Sequence, residues 1–351
     1  MILEKLYQKY FDKKIPLMVT LEVTKRCVNN CIHCYLPETH QGKIQKKELT
    51  FSEIERTLDE LKDIGTVFLN ITGGEPVLRK DIEKIIKKAI KNNFYVKLFT
   101  SLNFDIGIFE KLYCVGLREI DVSLYGKKEV HNKVCRNDSF DRVLNNIKNL
   151  KKMGFKINIK TPLMNINISE IDWLYRFSKE NNLNFVLDPI ITPLNDGSDF
   201  TLKYSVDFND AFDKIKFIDF SKQKCNKDKN NNYSCGALIT IIGIDSYGSV
   251  FPCLAFPFEI GNIRNRSLKE ILYSDYSENL RKIIEKEPEK CVLCEYKNFC
   301  SRCVGVSWVY KRDFNYIYKQ FCKIAKKIYE EVGRSGVRNV RNVRIVRNVG
   351  L

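Results

Sequence analysis

The sequence predicts an α/β protein built on a parallel sheet, followed by a smaller cysteine-rich region. Apolar runs alternate with amphipathic stretches from residue 17 to residue 189, and most of the cysteines beyond that point lie in two spaced groups. The 351 residues are 44% apolar, which supplies a sizeable core and argues against global disorder. A chain of this length has a prior expectation of about two domains.

Short apolar runs and helical spacing place the elements of the first part of the chain. The predicted strands are Leu17–Val23, Thr66–Thr72, Tyr95–Thr100, Glu119–Leu124, Phe155–Lys160 and Asn184–Asp188. The predicted helices between them are Phe51–Ile64, Asp81–Asn92, Ile106–Cys114, Ser139–Met153 and Ser169–Asn181. This alternation suits parallel strands with helical crossovers and leaves both a doubly wound sheet and a barrel open. In either fold, ligands bind at the carboxyl ends of the strands.

The pattern changes after about residue 190. A hairpin of Ile239–Ile244 and Ser249–Phe251 and a helix at Leu268–Ser274 are expected there. A polar loop at 222–233 precedes them, and a three-residue repeat at 337–349 fits neither helix nor strand. We therefore expect this division: a lead-in at 1–14, a barrel or sheet domain at 15–190, a linker region at 191–224, a cysteine-rich domain at 225–332 and a disordered basic tail at 333–351.

Composition excludes several classes of protein. No apolar run approaches the roughly 20 residues of a membrane span, and the charged N-terminus does not resemble a secretory signal. We therefore expect a cytoplasmic protein without a membrane partner. The formal net charge of +16 suits a lysine-rich solvated surface, although such a charge also attracts nucleic acid, anionic lipid or acidic peptide.

Ten of the 13 cysteines fall into patterned groups. The groups are Cys27, Cys31 and Cys34; Cys235 and Cys253; and Cys291, Cys294, Cys300, Cys303 and Cys322. In a reducing compartment such clusters are metal ligands or redox groups more often than disulfides. The first group is a tight loop that can hold three irons of a four-iron cluster and leave one iron open. A structural zinc site prefers four ligands, and His33 is poorly placed to be the fourth.

A second motif, Thr72-Gly73-Gly74-Glu75-Pro76, ends the second predicted strand. Paired glycines let a backbone approach a ligand closely, and Glu75 can accept a hydrogen bond from an ammonium group. Together with Cys27, Cys31 and Cys34, this segment resembles the signatures of the radical S-adenosylmethionine superfamily. The resemblance implies a partial (β/α)6 TIM-like barrel and a [4Fe-4S] cluster that binds S-adenosylmethionine. One-electron reduction then yields a 5′-deoxyadenosyl radical, which abstracts hydrogen from a substrate.

The C-terminal cysteines resemble the SPASM extension of that superfamily, which binds two auxiliary [4Fe-4S] clusters. By position, the resemblance assigns one cluster to Cys291, Cys294, Cys300 and Cys322, and the other to Cys235, Cys253 and Cys303. The gap of two residues between Cys300 and Cys303 is shorter than the common pattern. The second cluster has three assigned ligands, with Cys225 or an open iron as alternatives for the fourth. A zinc ribbon of the 291/294 and 300/303 pairs is the competing interpretation, although it leaves three cysteines unexplained.

The resemblance also implies roles for single residues. His33, Gly73, Gly74, Glu75, Pro76, Asn103, Ser123 and Arg136 are expected to contact S-adenosylmethionine, with Ser101 an alternative to Asn103. The arginine position of relatives is Cys135 here, so Arg136 lies one residue late. Cys135 is a candidate catalytic thiol that returns a hydrogen atom to substrate, whereas an incidental residue is the plainer interpretation.

The resulting functional prediction is a radical S-adenosylmethionine maturase that crosslinks, oxidises or epimerises a ribosomally made peptide or protein. It implies a low-potential electron donor such as flavodoxin or ferredoxin, and no nucleic-acid partner. Enzymes of small-molecule cofactor or haem biosynthesis remain an alternative. A zinc-stabilised basic nucleic-acid-binding protein is the alternative from another class, although the chain lacks the basic and aromatic stripe of the usual modules.

Overall fold

The computed structural model describes residues 2–37, 47–215, 235–334 and 344–345. The strands are β1 (Met18–Glu22), β2 (Phe68–Thr72), β3 (Tyr95–Thr100), β4 (Glu119–Ser123), β5 (Lys156–Pro162), β6 (Asn184–Asp188), β7 (Ile241–Ile244), β8 (Ser249–Phe251), β9 (Gly261–Asn262) and β10 (Arg344–Ile345). Helices of the first part are α1 (Ile2–Asp12), α2 (Phe51–Ile64), α3 (Ile82–Lys91), α4 (Gly107–Cys114), α5 (Lys128–Cys135), α6 (Phe140–Lys152) and α7 (Ile171–Glu180). The later helices are α8 (Phe208–Ile215), α9 (Leu268–Leu272), α10 (Asp275–Glu285), α11 (Glu289–Val292), α12 (Val304–Lys311) and α13 (Lys319–Arg334).

One sheet runs through the described part of the chain, in the order β10-β6-β5-β4-β3-β2-β1-β7-β8-β9. Strands β1 to β6 lie side by side in sequence order and all pair in parallel. A doubly wound sheet reverses its strand order partway along, and this one does not. The fold is therefore α/β with a partial (β/α)6 barrel, which resolves the choice that the element pattern left open.

The sheet extends beyond the barrel in a way that the sequence pattern did not predict. Strand β7 pairs in parallel with β1, with Met18 opposite Ile241. Its partner β8 is antiparallel and completes the predicted hairpin, with Gly248 at a φ of +89° in the turn. The cysteine-rich region therefore begins as an added edge of the barrel sheet, beside the strand that precedes the first cysteine loop.

The two faces of the barrel strands differ in chemistry. Ile120 and Val122 of β4 belong to the apolar core beneath the helices. Glu119 and Asp121, which alternate with them along the strand, point to the opposite face, because successive side chains of a strand alternate. There they form ion pairs with lysines of both neighbouring strands, including Lys160 at 2.7 Å from Asp121. The concave side of the partial barrel is thus polar and charge-paired.

Local capping explains why α2 has the predicted bounds. Thr50 and Glu53 form a reciprocal capping box at its start, and Gly65 ends it in the left-handed conformation at a φ of 99°. The predicted hairpin strands, the helix at 268–274 and the elements of the barrel agree with the structure to within two residues at each end. Helix α5 was missed because its eight residues carry few apolar side chains.

Only part of the predicted tail, and none of the predicted polar loop, lies within the described residues. In the predicted disordered tail, residues 333–334 continue α13, and β10 pairs in parallel with β6. The rest of the tail, the loop at 222–233 and Cys225 lie outside the described residues. Within the described residues, no helix has the length and apolar character needed to cross a membrane.

Candidate active site

The first cysteine loop follows β1 and is fastened to the end of α5. Asn30 N donates to Cys135 O at 3.2 Å, and Ile32 N donates to Val134 O at 3.0 Å. Cys27, Cys31 and Cys34 are all half-buried in this loop. The backbone contacts hold the three thiols at the carboxyl edge of the sheet, where the fold class predicts a ligand site.

Electrostatics show that these thiols share their surroundings with Glu75. Burial raises the pKa of the Cys27 thiol to about 12, a hydrogen bond from Asn29 N lowers it, and the charges of Glu75, Cys31 and Cys34 raise it further. Thiolates crowded in this way need a cation, and metal coordination deprotonates a thiol outright. The donor set therefore fits an iron–sulfur cluster.

The paired glycines pack closely against the protein's own backbone, and their contact with a ligand stays a prediction. A Cβ on Gly73 would lie 2.4 Å from Thr24 O, and one on Gly74 would lie 2.3 Å from Arg26 O. Gly73 also has a φ of +157°, at the edge of the region that favours glycine. The close approach lets Gly74 N donate to Thr24 O and Glu75 N donate to Arg26 O, both at 2.7 Å. The motif is thereby joined to the segment that leads into Cys27.

Glu75 is fully buried and rigidly held. Its carboxylate accepts hydrogen bonds from Thr100 Oγ1 at 2.9 Å and from both Ser101 N and Ser101 Oγ at 2.7 Å. Burial raises the pKa of Glu75, and these hydrogen bonds lower it. A further hydrogen bond from the Val77 backbone also lowers the pKa of Glu75. Pro76 begins a short 3-10 helix directly after it.

Ser101 and Asn103 have different hydrogen-bond partners. Ser101 is committed to Glu75, whereas Asn103 is buried between Asn29 and Arg142. The Asn103 amide donates to Asn29 Oδ1 at 3.3 Å and its oxygen accepts from Arg142 at 3.3 Å. Asn29 belongs to the cysteine loop, so Asn103 links β3 to that loop.

The remaining predicted cofactor contacts differ in exposure. Ser123 ends β4, half-buried, beside the Tyr125 phenol. The His33 ring packs edge-on against the Tyr125 ring, with centroids 4.9 Å apart. Arg136 is exposed and ends α5 with a φ of 52°. His33 and Ser123 therefore meet at Tyr125, while Arg136 lies at the surface.

Cys135 lies beneath the cysteine loop, with 1% of its surface exposed. Its thiol lies beside that of Cys31 and 3.5 Å from His131 Nε2. Burial lowers the pKa of His131 to about 4, so its ring is neutral at pH 7. The use of the Cys135 thiol as a hydrogen-atom donor stays a prediction.

Three of the auxiliary cysteines, Cys291, Cys294 and Cys322, lie close together although they come from separate elements. Burial raises the pKa of Cys322, and the charges of Cys291 and Cys294 raise it further. The buried Arg302 lies near Cys291 and Cys300, which favour its charged form against burial. Cys303 caps α12 by accepting from Val306 N at 3.5 Å. No sequence motif indicated Arg302, a buried cation beside two of these thiols.

Among the described residues, no three Cys, His, Asp or Glu side chains are arranged to hold a single metal ion. A four-iron cluster distributes its thiolates over different irons, whereas zinc gathers them on one ion.

A cavity of about 200 Å³ lies between the two cysteine regions. Its lining is Glu22, Lys25, Pro37, Asn195, Asp245, Phe251, Leu254 and Pro257. Tyr35 adjoins it, donating to Glu22 Oε1 at 2.8 Å, and its phenol lies close to both Cys34 and Cys253. No contiguous motif marks this cavity in the sequence, and the charged Glu22 at a strand end is its one local signal among the lining residues.

The fold and this site define an iron–sulfur enzyme with a partial (β/α)6 barrel. Comparison with family models matches residues 21–178 to the radical SAM superfamily and residues 235–303 to SPASM, an iron–sulfur cluster-binding domain. The chain belongs to the radical S-adenosylmethionine superfamily and carries a SPASM domain; its cofactors are S-adenosylmethionine and [4Fe-4S] clusters.

Several characterised proteins are similar along most of the chain. An AdoMet-dependent heme synthase of Methanosarcina barkeri is 27% identical over 334 residues, covering 85% of this chain and 94% of that protein. A cysteine-type anaerobic sulfatase-maturating enzyme of Clostridium perfringens is 23% identical and covers 90% and 96%. The structure of Streptococcus suis SuiB bound to precursor peptide SuiA has a TM-score of 0.69 at 19% identity, covering 91% and 80%. That structural likeness establishes the shared fold.

Proposed function

We propose that this radical S-adenosylmethionine enzyme modifies one residue of a peptide or protein. The observation that carries the proposal is the cavity between the first cysteine loop and Cys253. Pockets for drug-sized ligands span about 300–1,000 Å³, so a cavity of about 200 Å³ suits a single amino-acid residue better than a tetrapyrrole. The similarity to a sulfatase-maturating enzyme supports the same substrate class.

The proposal assigns Cys27, Cys31 and Cys34 to the cluster that binds S-adenosylmethionine. When bound, that cofactor supplies a 5′-deoxyadenosyl radical for hydrogen abstraction. Glu75 would accept from the cofactor's ammonium group, because hydrogen bonds fix its buried carboxylate near Cys27. Gly73, Gly74 and Pro76 position Glu75, while His33, Asn103, Ser123 and Arg136 are proposed to border the cofactor.

For the auxiliary clusters we propose the ligand sets Cys291, Cys294, Cys300 and Cys322, and Cys235, Cys253 and Cys303. The proximity of Cys322 to Cys291 and Cys294 supports the first set. The position of Cys253 beside the cavity would place the second cluster near substrate. A low-potential ferredoxin or flavodoxin is the proposed electron donor, in a cytoplasm that keeps the thiols reduced.

Anaerobic turnover tests the radical chemistry. Reconstituted protein is mixed with S-adenosylmethionine and dithionite, and 5′-deoxyadenosine is quantified. We expect product from the wild type and from the control Cys114→Ala, whose thiol is exposed and belongs to none of the cysteine groups. The triple variant of Cys27, Cys31 and Cys34 to alanine should form none. Equal product from the triple variant would contradict the ligand assignment.

The similarity to a heme synthase makes tetrapyrrole chemistry a second candidate. The same assay separates the two when a peptide library and an iron tetrapyrrole are added in parallel. A peptide substrate should raise 5′-deoxyadenosine formation and emerge with an altered mass. Stimulation by the tetrapyrrole alone would reject the peptide proposal and favour the second candidate.

A further inference from the structure

The charged side chains that line the cavity are deeply buried. Glu22 is 1% exposed, Lys25 is 6% exposed and Asp245 is 8% exposed. Burying an unpaired charge costs several kcal/mol, so each charge at this position requires a partner. The partners of these three groups therefore show which charge of the cavity is not balanced.

Glu22 and Lys25 satisfy one another. Glu22 Oε2 lies 2.5 Å from Lys25 Nζ, and Glu22 Oε1 accepts from the Tyr35 hydroxyl. Both carboxylate oxygens of Glu22 are thus occupied. This pair contributes no net charge to the cavity.

Asp245 is satisfied on one side. Its Oδ1 accepts from Tyr247 N and Ser249 N, both at 2.9 Å, which fixes the turn between β7 and β8. Both of these hydrogen bonds end on Oδ1, and the charge of Arg264 also interacts with the Asp245 carboxylate. Burial raises the pKa of Asp245, the charge of Glu22 raises it further and that of Lys25 lowers it. The cavity lining therefore carries two carboxylates, those of Glu22 and Asp245, against the one ammonium group of Lys25.

Apart from Asn195, the rest of the lining is apolar. Phe251, Leu254 and Pro257 come from the segment around Cys253, and Pro37 comes from the end of the first cysteine loop. Apolar walls with a carboxylate suit a side chain that has a hydrocarbon stem and a positive end. Lysine and arginine have that form.

We propose that Asp245 makes this cavity selective for a lysine or arginine side chain of the peptide and that acidic side chains are excluded. The inference rests on the proposed peptide substrate and specifies the residue that enters the cavity. A glutamate would bring a third carboxylate next to Glu22 and Asp245, where like charges repel in a poorly solvated site. A neutral side chain of equal length would contact the same apolar walls but would form no ion pair with Asp245.

Photocrosslinking tests this selectivity without turnover. The holoenzyme with S-adenosylmethionine and no reductant is irradiated with capped Gly-photolysine-Gly, and labelled peptides are mapped by mass spectrometry. We expect labels in residues 251–257 or 35–37. Capped Gly-Lys-Gly should compete at a concentration at least about tenfold lower than Gly-norleucine-Gly or Gly-Glu-Gly, which corresponds to about 1.4 kcal/mol.

Two variants isolate the charge. Asp245→Asn keeps an oxygen for the two turn amides and should abolish the advantage of lysine over norleucine. Glu259→Gln removes an exposed acid from the same segment and should preserve it. Equal competition by lysine and norleucine on the wild type would overturn the proposal, even if Asp245→Asn fails to fold. So would labelling confined to other segments.

The outcome is separable from that of the proposed function. A wild type that forms 5′-deoxyadenosine and alters peptides, yet shows no lysine preference, rejects only the selectivity. A lysine preference in a protein that modifies no peptide leaves the cavity assignment standing and rejects the function.

Discussion

Replacing Gly74 by alanine tests the link between the glycine motif and the cysteine loop. The new Cβ would lie 2.3 Å from Arg26 O and 2.6 Å from Lys25 O, both backbone atoms. Overpacking of a rigid site costs about 1–3 kcal/mol. The displacement also breaks the hydrogen bonds from Gly74 N and Glu75 N, each worth about 1 kcal/mol. We therefore expect a loss of about 3–5 kcal/mol in the free energy of unfolding.

The assay is anaerobic urea unfolding of reconstituted protein, followed by circular dichroism, with iron content measured in parallel. With a urea dependence of at least about 3 kcal/mol per molar for a chain of this size, the midpoint should fall by roughly 1 M. Bound iron should fall as well, since the loop that carries Cys27 must shift. Gly107→Ala is the matched control, because its new Cβ would meet a flexible side-chain atom, Asp105 Oδ1, at 3.0 Å.

A Gly74→Ala protein with the midpoint and iron content of Gly107→Ala would refute this reasoning. It would mean that the backbone of 24–26 yields without cost, and that the paired glycines have no steric role there. Loss of iron without loss of stability would confine the effect to the loop.

Three further changes test other parts of the structure by urea midpoints. Thr50→Ala removes the cap of α2 and should cost about 1 kcal/mol, whereas exposed Ser52→Ala should cost little. Arg281→Met strands Leu238 O and Leu272 O and should cost about 3–5 kcal/mol; an unchanged midpoint would contradict this. Burial lowers the pKa of His131 to about 4 in the folded protein, whereas an unfolded histidine has a pKa of about 6.5. As the pH falls, the unfolded state therefore binds this proton before the folded state does. About 3 kcal/mol should therefore be lost as the pH falls from 7 through 4, and His131→Gln should flatten that profile.

Sequence reasoning located the elements whose signals are local. Helix α2 has apolar positions at helical spacing and a capping box, so its bounds follow from neighbouring residues alone. Helix α5 lacks such a signal, and the cysteine loop pairs with its last turn. The pairing of β7 with β1 depends on contacts between residues far apart in sequence, which no local pattern records.

The candidate site also has parts that local sequence indicated and parts that only the fold brings together. The cysteine and glycine motifs are contiguous, so their spacing alone indicated them. The cavity is formed by Glu22 and Lys25 from one end of the chain and Asp245 from the β7–β8 turn. Each of these residues is ordinary in its local sequence, and the charge requirement arises when the sheet places β7 beside β1.

The glycine motif therefore has a consequence for how the site tolerates change. One pair of backbone hydrogen bonds fixes Glu75 and the entry to the cysteine loop relative to one another. The proposed cofactor contact and the proposed cluster ligands cannot move separately, because both are held by residues 24–26 on one side and 73–75 on the other. Substitutions on the two sides should then be non-additive, since either one already releases the shared contact. This coupling gives the glycine motif a structural role beside the cysteine motif, in addition to its proposed contact with the cofactor.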